Sequence, residues 1–173
     1  MMGMDVYGRN PKPQSGGVQK PADIDMESST EEQIFAYYDQ MDDWHQAQPG
    51  AYFRANIWMW APIHQLICKA NENFYSKHNE YLFDPEEIAE MSLNMGAGPD
   101  NQSTCDIIAD YIDVWMEHHT NGASLESPIK VKDDGTIVVG EEGDNLKSAY
   151  SVEDEHLKEW VHFLRHCGGF MVC

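Results

Sequence analysis

Residues 51–62, AYFRANIWMWAP, constrain the fold more than any other stretch of the chain. They gather one Tyr, one Phe and two Trp around a lone Arg and a lone Asn. Aromatic side chains bury roughly 150–250 Å² each, so a segment this rich belongs at a core or in a pocket. Pro62 lacks an amide hydrogen; it suits the first turn of a helix and not a central strand. The segment therefore reads as an extended AYFRANIWMW that passes into a helix beginning near Ala61. Side chains alternate faces along a strand, so Tyr52, Arg54, Asn56, Trp58 and Trp60 share one side. Phe53, Ala55, Ile57 and Met59 share the other, which is a plain core face. The first side admits two readings. In one, Trp or Tyr stacks a ligand ring while Arg54 fixes an anion, near a helix N-terminus that favours negative charge. In the other, Arg54 and Asn56 tie down loop carbonyls while the aromatics pack beneath helices.

Local signals place the remaining elements. MDVYG (4–8) reads as a short strand, and the Pro- and Gly-rich 10–21 as a loop, the flexible part of the chain running to about residue 28. Ser29 precedes Glu32, and Thr30 precedes Gln33, by the capping-box spacing. Ile34, Tyr37, Met41 and Trp44 then form a helical stripe that ends at QPG, 48–50. The helix after Pro62 buries Ile63, Leu66, Ile67, Ala70 and Phe74. Asp84-Pro85-Glu86-Glu87 is a cap, a first-turn proline and first-turn acids, and predicts a helix to about Met95 with Gly96 as its stop. Another helix starts at Ser103 or Thr104, with Cys105, Ile108, Ile112, Trp115 and His119 inward. IKVKDDGTIVVG (129–140) reads as a hairpin turning at Asp134-Gly135. Ser151 caps a last helix that buries Leu157, Trp160, Val161 and Leu164. Gly168-Gly169 breaks it before a closing strand, FMVC. With no internal repeat, 173 residues fit one domain. The fold class is α+β: a small, mostly antiparallel sheet packed by four or five helices.

Charge narrows the function. Thirty acids face eleven bases, for a net charge of −19. Eleven acids and no Lys or Arg lie between Lys77 and Lys130, and eight acids and none between Lys20 and Arg54. A field of that sign repels phosphate backbones and anionic membranes, so direct nucleic-acid and membrane binding are excluded as expectations. A cation or a basic protein surface is the compatible partner. Asp106, Asp110, Asp113 and Glu117 step by 4, 3 and 4 along one helix and form an acidic ridge. That ridge reads either as a solvated face, or as a partner-binding line of carboxylates that imitates phosphates and clasps a basic protein. Adaptation to a salty interior also accounts for an acidic surface with few lysines.

Motifs add little. No apolar run approaches a membrane span of roughly 20 residues. MMGMDVYGRN has no basic and apolar pattern of a secretory signal. Cys68, Cys105, Cys167 and Cys173 are scattered, and reduced thiols in a cytoplasmic protein are expected. Cys167, beside two glycines, reads as a buried helix-end residue, or as a reactive thiol. His162 and His166 stand four apart on one helix and could share a metal such as zinc. His64 and Cys68 repeat that spacing. Each pair supplies two ligands where zinc takes three or four, and His118-His119 need not complete either set. No nucleotide, hydrolase or metalloprotease motif occurs, and no cofactor is expected.

Three blocks, MDVYGRNP, AYFRANIWMWAPI and FLRHCGGFMVC, resemble in content and order those of a family of small uncharacterised proteins from tailed bacteriophages, cyanobacteria and actinobacteria. The resemblance covers about a fifth of the chain. The family has no assigned activity, so the resemblance implies no catalytic residues. It implies a shared framework of Asp5, Tyr7, Tyr52, Arg54, Asn56, Trp58 and Trp60, and leaves out His162 and His166. A phage-like setting implies an accessory or host-directed protein. The expectation is a non-enzymatic, acidic interaction protein that binds a basic host factor, an inhibitor or DNA mimic among the forms it could take. The alternative is a small-ligand or metal-dependent enzyme using the Tyr52–Trp60 face with Arg54.

Overall fold

A computed structural model describes residues 3–12, 17–119, 121–125, 129–131, 136–139 and 147–173. The fold is α+β, with five helices and only antiparallel strand pairs among these residues. In chain order the elements are β1 (Gly3–Gly8), α1 (Glu31–Ala47), β2 (Tyr52–Asn56), α2 (Ile57–His78), α3 (Pro85–Met91) and α4 (Gln102–His118). There follow β3 (Ala123–Ser124), β4 (Ile129–Val131), β5 (Ile137–Val139), β6 (Lys147–Ser148), β7 (Ser151–Val152), α5 (Asp154–Leu164) and β8 (Phe170–Val172). The main sheet has the order β2-β1-β8; β3 pairs with β7, and β5-β4-β6 form a third small sheet. None of the described helices is long and apolar enough to cross a membrane.

Alternation in β1 and β2 gives the main sheet its two faces. Met4 and Val6 of β1, Phe53 and Ala55 of β2, and Phe170 and Val172 of β8 are buried on the inner face. They meet Ile63, Leu66 and Ile67 of α2, Ile108 and Ile112 of α4, and Leu157, Trp160 and Leu164 of α5 in one hydrophobic core. The outer face carries Asp5, Tyr7, Tyr52 and Arg54. Antiparallel register sets Asp5 opposite Arg54 and Tyr7 opposite Tyr52. Opposite charges and paired aromatics directly across a ladder are the pairs that stabilise it.

The boundary between β2 and α2 differs from the sequence expectation. The strand stops at Asn56, and the helix begins at Ile57, four residues before Ala61. Asn56 is the cap: its side-chain oxygen accepts the Met59 amide at 2.9 Å. Asn is among the best capping residues, and that local bond outweighs the β-preference of the aromatics that follow. Pro62 consequently sits inside the helix, buried. Trp58 and Trp60 are helical and do not continue the outer face of β2.

Other helix ends follow local chemistry. Thr30 and Gln33 form the complete capping box of α1. Asp84 caps α3 through the Glu87 amide at 2.9 Å. α3 stops at Met91 instead of Met95: the Ser92 and Leu93 amides tighten onto the Ala89 and Glu90 carbonyls at 3.1 and 3.0 Å, and Asn94 then turns the chain away with a left-handed φ of 56°. Asn tolerates that region better than most side chains. The cap of α4 is Asn101, two residues before Ser103, and His119 is its exposed C-cap, not an inward residue. Ser151 does not cap α5; its backbone is engaged in the β3–β7 ladder, and Glu153 holds the cap position. The hairpin of 129–140 is present as paired β4 and β5, whose turn at Asp134-Gly135 lies outside the described residues. Residues 13–16 of the expected flexible loop lie outside them too.

Candidate functional site

α1 closes no part of the core: among its 17 residues none is fully buried. It lies against the outer face of the main sheet and leaves a groove of about 990 Å³ beside it. Tyr37, Tyr38, Met41, Asp42 and His45 form the α1 wall. Tyr7, Tyr52 and Arg54 form the sheet floor, and Glu159, His162 and Phe163 of α5 close the far side. Four tyrosines therefore surround one open cavity.

The floor is a connected cluster. The Tyr52 hydroxyl donates a hydrogen bond to Asp5 Oδ1. Arg54 Nε lies 3.9 Å from the same oxygen, with 65% of its side chain exposed, so the guanidinium remains able to reach into the groove. His45 stacks on Tyr52 at 5.4 Å between ring centres and 29° between planes. Tyr7 completes the group, 5.3 Å from Tyr52 and 6.0 Å from His45. Burial, then the hydrogen bond to Asp5, pushes the Tyr52 phenol far above its ordinary range. Burial and the Asp5 charge raise Tyr7 as well. Burial lowers His45 below its ordinary value, against the pull of Asp42. At neutral pH the cluster thus presents two phenols and a neutral imidazole.

What the groove can hold follows from its chemistry. Tyrosine faces attract cations through the ring quadrupole. Asp42 and Glu159 supply negative charge at the two rims. α1 carries Glu31, Glu32, Asp39, Asp42 and Asp43 with no Lys or Arg. Arg54 is the floor's single counter-charge and fits a carboxylate or phosphate.

The structure redistributes the residues singled out in the sequence. Tyr52 and Arg54 do face the groove. Asn56 is occupied as a cap. Trp60 is in the core with its indole N–H donating to the Met91 carbonyl at 3.1 Å. Trp58 packs on Tyr150 at 4.8 Å. The five thus do not share one strand face, because the chain turns helical after the fifth residue of β2. His162 reaches the groove, with its pKa lowered by burial and then by His166. His166 Nδ1 is 2.7 Å from the His162 carbonyl, which directs that nitrogen to the backbone. Among the described residues no group of three or more His, Cys, Asp or Glu is arranged to hold a metal ion.

The acidic ridge of α4 is partly neutralised from another element. Arg165 bridges Asp110 at 2.8 Å and Asp113 at 2.6 Å. Asp106 accepts from the Gln102 amide at 2.7 Å. Glu117 is exposed at the far end. Ridge and α5 are thereby tied together, and the unrelieved line of four charges expected from the sequence is interrupted. Cys167 is fully buried at the end of α5, its Sγ 3.5 Å from that of Cys105.

Sequence reasoning missed His45, Tyr37, Tyr38 and Asp42. The signal was their shared helix, which joins an aromatic stripe to five acids with no Lys or Arg among them. No family model, curated protein or solved structure matches the chain.

Proposed function

We propose that this is a non-enzymatic interaction protein that receives a basic segment of a partner protein in the groove beside α1. The carrying observation is the wall itself: an acidic helix without Lys or Arg, set over a cavity of tyrosines in a chain of net charge −19. Arg or Lys side chains entering the groove meet aromatic faces and carboxylates together, a pairing that favours guanidinium above ammonium. The wider field steers such a partner to the surface and repels nucleic acid. The three sequence blocks that resemble phage proteins favour a cytoplasmic host factor as the partner. Blockage of a nucleic-acid-binding site would follow if the captured segment is the one that contacts phosphate. The α4 ridge is the weaker docking surface, since Arg165 already holds two of its carboxylates.

The test is fluorescence anisotropy of a labelled Arg-rich peptide and of its Glu-substituted counterpart, at low and high ionic strength. The basic peptide should bind, and lose affinity as salt rises; the acidic one should not. Asp39→Lys with Asp42→Lys and Asp43→Lys should weaken binding about tenfold or more, while Glu117→Lys on α4 should change it little. Equal binding of both peptides, or indifference to the α1 reversals, would remove the reading.

A second reading is supported by the Asp5–Tyr52–Arg54 cluster, which has the form of a small-ligand site for a ring bearing an anionic group. Arg54→Ala would then abolish ligand-induced thermal stabilisation without unfolding the chain, and no salt-dependent preference for basic peptides would be seen.

A further inference from the structure

We propose that Met4, His64 and Cys68 form a binding site for a soft monovalent metal ion, of the Cu(I) and Ag(I) class. The site is separate from the groove and lies on the other side of the main sheet.

His64 and Cys68 are four residues apart on α2 and so point the same way. Cys68 Sγ is 3.9 Å from His64 Nδ1. The other ring nitrogen, Nε2, is 2.8 Å from the Ile88 carbonyl. A carbonyl only accepts, so Nε2 carries the proton and Nδ1 presents its lone pair towards the thiol. A ligating histidine is oriented in this way, its second nitrogen donating to a backbone carbonyl. Both side chains open into a cavity of about 290 Å³. Met4, from the inner face of β1, lines the same cavity, whose walls are otherwise chiefly apolar, Ile57, Trp60 and Leu125 among them.

Donor chemistry selects the ion. Thiolate and thioether are soft ligands that favour Cu(I) over harder divalent ions. With metal–nitrogen and metal–sulfur bonds of about 2.0 and 2.3 Å, the 3.9 Å gap accommodates an ion at an angle of about 130°, which leaves one side open to a third donor. Zinc would need more ligands than this cavity offers. Charge gives the same answer independently. Binding exchanges the thiol proton for the metal: Cys68 becomes a thiolate, the proton leaves to solvent, and the S–H bond is replaced by a sulfur–metal bond with no change of oxidation state. A monovalent ion with one thiolate and a neutral imidazole is neutral overall. A divalent ion would leave a net positive charge in an apolar cavity, which is costly.

Silver nitrate in chloride-free buffer is the probe, since Ag(I) does not cycle its oxidation state. The full chain is used with Cys173→Ser, because Cys173 is exposed and would compete. Alkylation of each cysteine by iodoacetamide is followed by peptide mass spectrometry. One equivalent of Ag(I) should slow alkylation of Cys68 about tenfold or more, and the same amount of Zn(II) should not. Met4→Leu and His64→Gln should each weaken protection about tenfold, with the far-ultraviolet circular dichroism unchanged. Undiminished alkylation of Cys68, equal protection by zinc, or full protection in either variant would overturn the site. The alkylation result on the otherwise native chain stands even if a variant fails to fold.

Discussion

At the scale of single residues, the groove is held together by Asp5. Its carboxylate accepts from Tyr52 and lies near Arg54, tying β1 to β2 through side chains as well as backbone. Tyr52→Phe removes the donor and leaves a half-exposed carboxylate, which should cost about 1 kcal/mol in denaturant unfolding. His45 makes the groove sensitive to pH. Its folded pKa lies below the ordinary 6.5, so the unfolded chain takes up its proton first as pH falls. Its contribution to stability is complete above pH 6.5 and declines as pH drops towards the folded value. An NMR titration should place the His45 midpoint below 6.5, and His45→Gln should flatten the fall in melting temperature below that pH. A midpoint at or above 6.5 would contradict the buried, neutral imidazole. Neither feature was legible in the sequence. Asp5 and Tyr52 are 47 positions apart, and nothing local to either announces the other.

Elements were more legible, because their ends depend on short-range chemistry. Thr30 with Gln33 and Asp84 with Pro85 each carry their own signal, and the structure uses both; α5 ends earlier than its glycine pair suggests, at Leu164, and Gly168 and Gly169 take positive φ in the segment that leads to β8. The strand-to-helix step at Asn56 departs from the sequence pattern for the same reason in reverse. The aromatics read as strand, while a single capping bond started the helix early. Asn56→Ala should therefore cost about 1 kcal/mol, in the range of lost N-caps, measured by chemical denaturation. Closer packing governs the other end of β2. A Cβ at Gly50 would come within 2.2 Å of the His166 backbone, which joins the start of β2 to the segment after α5. Gly50→Ala should destabilise by about 2 kcal/mol or more, since backbone and not a flexible side chain must move. α1 stands apart from the other long helices. With no fully buried residue, its amides should exchange with solvent sooner than those of α2, α4 and α5. Protection of α1 equal to that of α4 would show a firmer attachment than its packing explains.

For the whole molecule, the inner face of the main sheet builds the core and the outer face lines the groove beside α1. The amphipathic stripe of α1 was visible in the sequence as Ile34, Tyr37, Met41 and Trp44, but its partner was not. A stripe predicts burial, and here it yields only half-burial beside a groove, with Phe35 and Tyr38 exposed at 67% and 54%. Net charge was readable at once, yet its arrangement was not. Arg165 reaches Asp110 and Asp113 across more than fifty residues of sequence, whereas among the described residues no ion pair reaches the five acids of α1, where Lys20 lies 5.7 Å over the Trp44 ring instead. That contrast moves the expected partner surface from α4 to α1. Titration of the isotopically labelled chain with an Arg-rich peptide, read by amide and aromatic NMR shifts, tests this most directly. Saturable shifts centred on Tyr7, Tyr37, His45, Tyr52 and Arg54 are expected. Shifts confined to α4 around Asp106–Glu117, or none that saturate, would contradict a partner surface at α1.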